Sequence, residues 1–110
     1  MPMDNKDVKD KLKKYINNVK LFLDLKMVVL YGSHAKGLAK ENSDIDVAVF
    51  VSKKGKMDYL EKGKLLFRLR REIDSRIEPN LFYMEEVRHR EKADFISEIL
   101  KTGKVIYKGR

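Results

Sequence analysis

Residues 26–52 decide the fold, and they read KMVVLYGSHAKGLAKENSDIDVAVFVS. The stretch opens on a β-branched apolar run that has the length of a buried strand. Gly32 and Ser33 end this run. A short helical segment is predicted over residues 34–40, and a turn is predicted over residues 41–43.

The second apolar run, residues 44–52, predicts another strand with two distinct faces. Side chains alternate along a strand, so one face carries Ile45, Val47, Val49 and Val51, and the other carries Asp44, Asp46, Ala48 and Phe50. The two aspartates therefore project from the same face, about 6–7 Å apart along the strand.

Outside this stretch, the hydrophobic spacing predicts three further helices and two further strands. The first helix carries apolar residues at 3- and 4-residue steps from Val8 to Leu23. The other predicted elements are a helix over 58–72, a strand over 74–82, a helix over 91–102 that Gly103 ends, and a strand over 105–107. The order α-β-α-β-α-β-α-β favours an α/β (α+β) fold in which helices cover a small mixed sheet. Residues 1–110 are expected to form one domain.

The amino-acid composition limits the kinds of catalytic site and partner that this chain can have. Cysteine is absent and only two histidines are present, which excludes thiolate chemistry and argues against an all-histidine zinc site. Lysine and arginine number 25 against 17 aspartates and glutamates, a net charge of +8 that attracts polyanions such as nucleotides, nucleic acid or an acidic protein. No apolar run approaches the length of a membrane span, so a soluble cytoplasmic protein without a membrane partner is expected.

The Gly-Ser turn and the two aspartates together indicate phosphate chemistry. Glycine lets a ligand approach the backbone closely, and the amides at the start of a helical turn favour an anion such as phosphate. The Ser33 hydroxyl adds a donor. Carboxylates at positions 44 and 46 suit Mg²⁺, which is commonly held by one or two carboxylates and by substrate phosphates. The pattern therefore predicts phosphoryl or nucleotidyl transfer at a Mg²⁺ site.

The motif Gly32-Ser33, ten residues, then Asp44-Ile45-Asp46, with Gly37 in the loop, resembles the signature of the DNA-polymerase-β-type nucleotidyltransferase superfamily. At this length the chain is similar to the minimal nucleotidyltransferases. The resemblance implies a polymerase-β-like core, ATP as the nucleoside triphosphate substrate, and two Mg²⁺ ions held by Asp44 and Asp46.

The resemblance also implies a third carboxylate that completes the metal site and accepts the proton of the acceptor hydroxyl. Glu78 is preferred, because it lies inside the predicted third strand and precedes Pro79, which favours extended backbone. Asp74, which has the same parity and lies at the helix-to-strand junction where the predicted strand begins, is the alternative, and a site without a third carboxylate is left open. Arg76 is expected on the same face, paired with Glu78 or with phosphate.

The nucleotide is expected to contact four residues of the loop and turn. Gly32 and Ser33 would hold the β- and γ-phosphates. Lys36 would reach the triphosphate as a point charge, or would only be solvated. Ser43 would contact phosphate or metal-bound water, or would only support the turn.

The acceptor rests on the family resemblance alone. Stand-alone minimal nucleotidyltransferases resemble antitoxins whose partner is a small helical HEPN-domain ribonuclease, and they adenylylate a tyrosine hydroxyl of that toxin. Three alternatives stay open: a catalytically weak module that blocks its partner, a free-standing enzyme that modifies a small-molecule hydroxyl, and a nucleic-acid-binding protein without catalysis. Nucleic acid is not favoured as a substrate, and self-association is left open.

Overall fold

The computed structural model describes residues 5–40, 42–87 and 94–109. The elements in chain order are α1 (Asn5–Lys20), β1 (Leu25–Tyr31), β2 (Ile45–Val51), α2 (Tyr59–Arg70), β3 (Ile77–Tyr83), α3 (Met84–Val87), α4 (Phe95–Thr102) and β4 (Lys104–Lys108). The strands form one sheet in the order β3-β2-β1-β4, in which β2 and β3 are parallel and the other neighbours are antiparallel. The predicted small mixed sheet with helices is confirmed.

The central strand β2 separates two apolar clusters, as its alternation predicts. Ile45 and Val47 are fully buried in the larger cluster, which includes residues of α1 and α2. Ala48 and Phe50 are fully buried in the smaller cluster, which includes Ile99 of α4. Both faces of β2 are therefore apolar beyond its first residues, and this double burial accounts for the near-continuous apolar run in the sequence.

Two helices cover the larger cluster and are tied to each other. The spacing of the buried residues of α1 gives the helix an apolar face toward the sheet. The hydroxyl of Tyr15 in α1 donates to the carbonyl of Leu66 in α2 at 2.8 Å. A capping box begins α2, because Asp58 accepts from the Glu61 amide at 2.8 Å and Glu61 accepts from the Asp58 amide at 3.4 Å.

The helix predicted over residues 34–40 is wrong. Residues 32–37 form turns that end at Gly37, which has a φ of 72°. The Leu38 amide donates to the Ser33 carbonyl at 2.9 Å, and the Gly37 amide donates to the His34 carbonyl at 3.5 Å. These two bonds around a left-handed glycine are the arrangement that ends helices, so the segment stops after about one turn.

Other details of the secondary structure also differ from the prediction. The strand predicted from residue 74 begins at Ile77, and the short helix α3 was not predicted. The helix predicted from residue 91 begins at Phe95 in the part that the structure describes, with Asp94 as its N-cap; its predicted start lies outside the described residues. Gly103 follows α4 in an extended conformation, with φ of −84° and ψ of 175°. A Cβ there would lie 2.6 Å from the Ile99 carbonyl oxygen, so close packing rather than a left-handed turn explains this glycine.

The turn before β3 is fixed to α1 by a buried carboxylate. The Asp74 side chain is 7% exposed and accepts hydrogen bonds from Lys11 at 3.1 Å and from the Arg76 amide at 2.9 Å. The Arg76 guanidinium also pairs with this carboxylate. Hydrogen bonds from Arg76 and then from Lys11 hold the pKa of Asp74 well below its usual range.

No helix in the described ranges has both the length and the apolar character needed to cross a bilayer.

We expect Asp74→Asn to destabilise the protein at neutral pH by about 1.5–3 kcal/mol, the contribution of hydrogen bonds to a charged group. Because the folded protein lowers the pKa of Asp74, its stabilising effect is present above pH 4 and is lost as the pH falls further. Urea unfolding at pH 7 and at pH 3 measures the difference in the free energy of unfolding between the wild-type and Asp74→Asn proteins. This difference should be smaller at pH 3. The exposed Asp10→Asn variant is the control, and equal stability of the two variants at pH 7 would contradict the prediction.

Candidate active site

Three strands bring a tyrosine and two carboxylates into one row. Asp46 near the start of β2 is the cross-strand partner of Tyr31 at the end of β1 and of Glu78 near the start of β3. Cross-strand partners project from the same face of a sheet. This face is the one that Ala48 and Phe50 share, opposite α1 and α2. Asp44 directly precedes β2, has the same parity and is exposed.

The carboxylate of Asp46 lies against the backbone of Gly32. A Cβ built at Gly32 would overlap the Oδ2 atom of Asp46 and lie 3.3 Å from its Cγ. Gly32 also has a φ of 73°, which L-residues with a side chain rarely adopt. The sequence predicted close approach of a ligand at this glycine; in the structure its first neighbour is the Asp46 side chain. Gly32 of the Gly-Ser loop and Asp46, one of the two predicted metal ligands, thus lie directly against each other.

The loop after Gly32 turns over and is fixed to the segment before Asp44. His34 is buried, and its Nε2 atom lies 3.3 Å from the Ser43 carbonyl oxygen. The Ser43 hydroxyl accepts from the Lys40 amide at 2.8 Å, so this hydroxyl supports the turn. Lys36 is exposed in the loop. The contact of His34 was missed in the sequence, because nothing near it in the chain distinguishes a buried histidine from a solvated one.

Negative charge accumulates around Asp46. Partial burial raises the pKa of Asp46 above its ordinary value, the charges of Asp44 and Glu78 raise it further, and His34 opposes them. Clustered carboxylates of this kind are the hard oxygen donors that Mg²⁺ takes, and a divalent cation would relieve their repulsion. Asp44 and Asp46 therefore fit a magnesium site by chemistry and by position.

The candidates for the third carboxylate are separated by the sheet. Asp74 lies on the α1 side, in the ion pairs with Lys11 and Arg76. Arg76 is also near Asp7 of α1, at 4.0 Å, so the expectation that it lines the carboxylate face is wrong. Asp74 and Arg76 both precede Ile77, the first residue of β3. The strand alternation that was used for the prediction therefore does not apply to them.

Glu78 shares the row of Asp46 but is bound to an arginine. Its Oε1 atom accepts from the Nη1 atom of Arg70 at 3.2 Å. Among the residues that the structure describes, no group of three His, Cys, Asp or Glu side chains is close enough together to hold a metal ion. The described geometry therefore offers two aspartates to a metal, with Glu78 beside them and turned to Arg70.

Aromatic and amide side chains next to the carboxylates were also missed in the sequence. The Asn80 amide donates to the Tyr31 hydroxyl across β2. The small Ala48, which pairs with Asn80 in the register, leaves room between them. Phe95 meets the Tyr31 ring edge to face, with ring centroids 5.6 Å apart. Burial and the charge of Asp46 raise the pKa of Tyr31. The strand register brings Tyr31 and Asn80 together and the packing of α4 adds Phe95, so no local motif identifies these neighbours.

A cavity of about 550 Å³ lies on the other face of the sheet, between α1 and β4. Leu12, Ile16 and Ile106 contribute to its apolar wall. His34 and Gly37 of the loop also line the cavity, whereas Asp44, Asp46 and Glu78 are not among its lining residues.

A sheet of this topology, with a Gly-Ser loop packed against the carboxylate of Asp46 and with Asp44 two residues before it, is typical of a nucleotidyltransferase of the polymerase β type. The model of the family described as Polymerase beta, Nucleotidyltransferase matches residues 10–109. The chain therefore belongs to this family, and the predicted enzyme class is confirmed. No curated protein matches the sequence.

Solved structures share the fold at low sequence identity. A nucleotidyltransferase structure from Sulfolobus solfataricus has a TM-score of 0.62 at 16% identity, over 98% of this chain and 92% of that one. A toxin–antitoxin structure with AMP-PNP has a TM-score of 0.60 at 21% identity, over 93% and 74% of the two chains. A mutant of a toxin–antitoxin named MntA-HpeT has a TM-score of 0.57 at 20% identity, with the same coverage.

Because Gly32 contacts Asp46, we expect Gly32→Ala to destabilise the protein more than Gly37→Ala does. Gly37→Ala places a side chain at a φ of 72° in open space, so it should cost about 1–2 kcal/mol for the left-handed backbone alone. Gly32→Ala has the same backbone cost and the overlap with Asp46, so it should destabilise more. Urea unfolding measures both. Adding Asp46→Ala removes an unfavourable charge in both proteins, but it also removes the overlap in the Gly32→Ala protein, so it should recover more stability there than in the Gly37→Ala protein. Equal effects in both would contradict the contact.

We expect Asp46→Asn to stabilise the protein when no metal is bound. Because folding raises the pKa of Asp46, its charge opposes folding at neutral pH, by less than about 1 kcal/mol for a partly exposed group. The gain should be present at pH 7 and vanish as the pH falls through about 4, where the wild-type carboxyl is protonated. Urea unfolding with a chelator at both pH values measures this effect against Asp10→Asn. A less stable Asp46→Asn protein at pH 7 would contradict it.

Proposed function

We propose that this nucleotidyltransferase transfers AMP from ATP to a tyrosine hydroxyl of a HEPN-domain toxin, and thereby acts as an antitoxin in the cytoplasm. The observation that carries the transfer is the contact of the Asp46 carboxylate with Gly32, which joins a phosphate loop to metal-binding carboxylates. The antitoxin role is supported by the two toxin–antitoxin structures that share the fold, one of them determined with AMP-PNP.

In this proposal the loop binds the triphosphate. The backbone at Gly32 and Ser33 approaches the β- and γ-phosphates, with the Ser33 hydroxyl as a further donor. Lys36 is exposed in the same loop and adds positive charge beside the triphosphate. The Ser43 hydroxyl holds the turn by its bond from the Lys40 amide, so its contribution to the nucleotide site is indirect.

The carboxylates complete the site. Asp44 and Asp46 would hold two Mg²⁺ ions, which polarise the α-phosphate and neutralise charge on the leaving pyrophosphate. Glu78 is proposed to accept the proton of the attacking hydroxyl, because it is the acidic neighbour of Asp46 on β3. Asp74 is not proposed for this role, since Lys11 and Arg76 occupy its carboxylate on the other side of the sheet.

The acceptor is proposed to be a protein. The partner would position its tyrosine in line with the α-phosphate, which is the largest geometric requirement of the reaction. The net charge of +8 would favour encounter with an acidic partner, and salt would weaken that effect.

One observation favours a second candidate, a module that neutralises the toxin by binding alone. Glu78 is paired with Arg70 and no third carboxylate joins the aspartates in the described residues. A site that stays in this arrangement would transfer AMP poorly.

The test is co-expression with the product of the neighbouring gene, followed by intact-mass measurement of both chains. We expect the partner to gain the mass of one or more AMP groups, and the gain to vanish with chelator in vitro or with Asp44→Asn and Asp46→Asn combined. Asp10→Asn, which removes an exposed aspartate elsewhere, should leave the gain unchanged. An unmodified partner that the double variant binds equally tightly would favour neutralisation by binding alone. Transfer to a small hydroxylated molecule instead would favour a free-standing enzyme.

A further inference from the structure

Arg70, the last residue of α2, holds three oxygen atoms at the start of β3. Its Nη1 atom donates to the carbonyls of Ser75 at 3.0 Å and Ile77 at 2.7 Å, and to the Glu78 carboxylate at 3.2 Å. The guanidinium carbon lies 4.8 Å from the ring centroid of Phe67 in the preceding turn of the helix. Two carbonyls and a ring therefore fix Arg70 independently of Glu78.

The carboxylate of Glu78 is subject to two opposing influences. In the parallel register it lies beside Asp46, and neighbouring strands are about 4.8 Å apart, so the two side chains start close together. The charges of Asp44 and Asp46 repel it, while Arg70 attracts it. The result is the separation already described, in which no third carboxylate joins the two aspartates in the part of the chain that the structure describes.

Glutamate at this position can reach both places. It has one methylene more than aspartate and a further rotatable bond. Rotation of the side chain can therefore move the Glu78 carboxylate from Arg70 to the metal site without movement of β3. If Glu78 leaves, Arg70 keeps its bonds to the Ser75 and Ile77 carbonyls, and no donor loses its last partner. The movement therefore breaks one partly exposed ion pair, and the free energy that such a pair contributes is small.

We propose that Arg70 is a positioning residue that holds Glu78 away from the metal site until a divalent cation competes for it. The proposal rests on the proposed function, because it takes Asp44 and Asp46 as the metal carboxylates. It makes binding of the cation and completion of the site one coupled event. The free protein then lacks the carboxylate that accepts the proton.

The experiment is a double-mutant cycle on metal affinity. Mn²⁺ is titrated by calorimetry in the presence of the non-hydrolysable analogue AMP-PNP, with Arg70→Gln made in the wild-type chain and in Glu78→Gln. We expect Arg70→Gln to tighten Mn²⁺ binding by about two- to fivefold in the wild-type chain, the range of one exposed ion pair, and less in Glu78→Gln. Arg71→Gln, which removes the same charge from the next, exposed residue, should not show this dependence on Glu78.

Equal effects of Arg70→Gln in the two backgrounds would overturn the proposal, because the gain would then be a general charge effect. Since Arg70 also binds two carbonyls, circular dichroism must show that each variant is folded. If Arg70→Gln does not fold, Arg70→Lys takes its place: it keeps the charge but lacks the planar guanidinium whose Nη1 atom contacts all three oxygens, and a smaller gain that again requires Glu78 is expected. Unchanged Mn²⁺ affinity in Asp46→Asn would overturn the proposed metal site itself, whereas lost affinity there with no coupling at Arg70 would overturn only this inference.

Discussion

The approach of the Asp46 carboxylate to the backbone of Gly32 sets the position of the other groups in the site. A side chain at residue 32 has neither space nor a favourable backbone conformation there, so the loop can begin only where a glycine ends β1. The antiparallel register then brings Asp46 opposite Tyr31, one residue before that glycine. The Gly-Ser loop and the carboxylate of Asp46 are thereby placed by two hydrogen-bonded strands, which hold them more rigidly than a flexible loop would.

One alternation builds both the core and the site. Ile45 and Val47 point to the helices α1 and α2, and Asp46 between them must point the other way. Farther along β2 the same face is covered by α4, where Phe50 packs with Ile99. The carboxylates therefore lie at the end of the sheet that this apolar cluster leaves uncovered, close to the loop. A shift of the register by one residue would bury Asp46 and expose its apolar neighbours, so the stability of the core and the position of the site depend on the same pairing.

This dependence explains which features could be predicted from the sequence. The parity of β2 and the glycine in the turn are local properties, and they were sufficient to predict the sheet face of Asp46 and a glycine with close neighbours at position 32, although the predicted neighbour was a ligand and the observed one is Asp46. The contacts of Glu78 with Arg70, and of Tyr31 with Asn80, depend on how strands and helices pair over long distances. No local pattern encodes such pairs, and the sequence did not predict them.

The errors have equally specific causes. The helix predicted over residues 34–40 fails because Gly37 adopts a left-handed conformation, which the sequence permits but does not require. Asp74 and Arg76 were assigned to the strand face by alternation, but β3 begins only at Ile77, so alternation does not extend to them. A hydrogen-bonded turn there lets Asp74 face α1 instead.

The two carboxylates Asp46 and Asp74 show how this chain divides its acids between stability and chemistry. Asp74 is surrounded by two cations that lower its pKa, so its ionisation favours folding. Asp46 is partly buried near two other carboxylates that raise its pKa, so its ionisation opposes folding. An unfavourable charge of this kind is typical of functional sites, and Asp46 carries it next to the Gly-Ser loop that is proposed to bind the triphosphate. A bound cation would stabilise the ionised Asp46. The repulsion that destabilises the metal-free protein at this residue would then be relieved on binding, which would favour the metal-bound state.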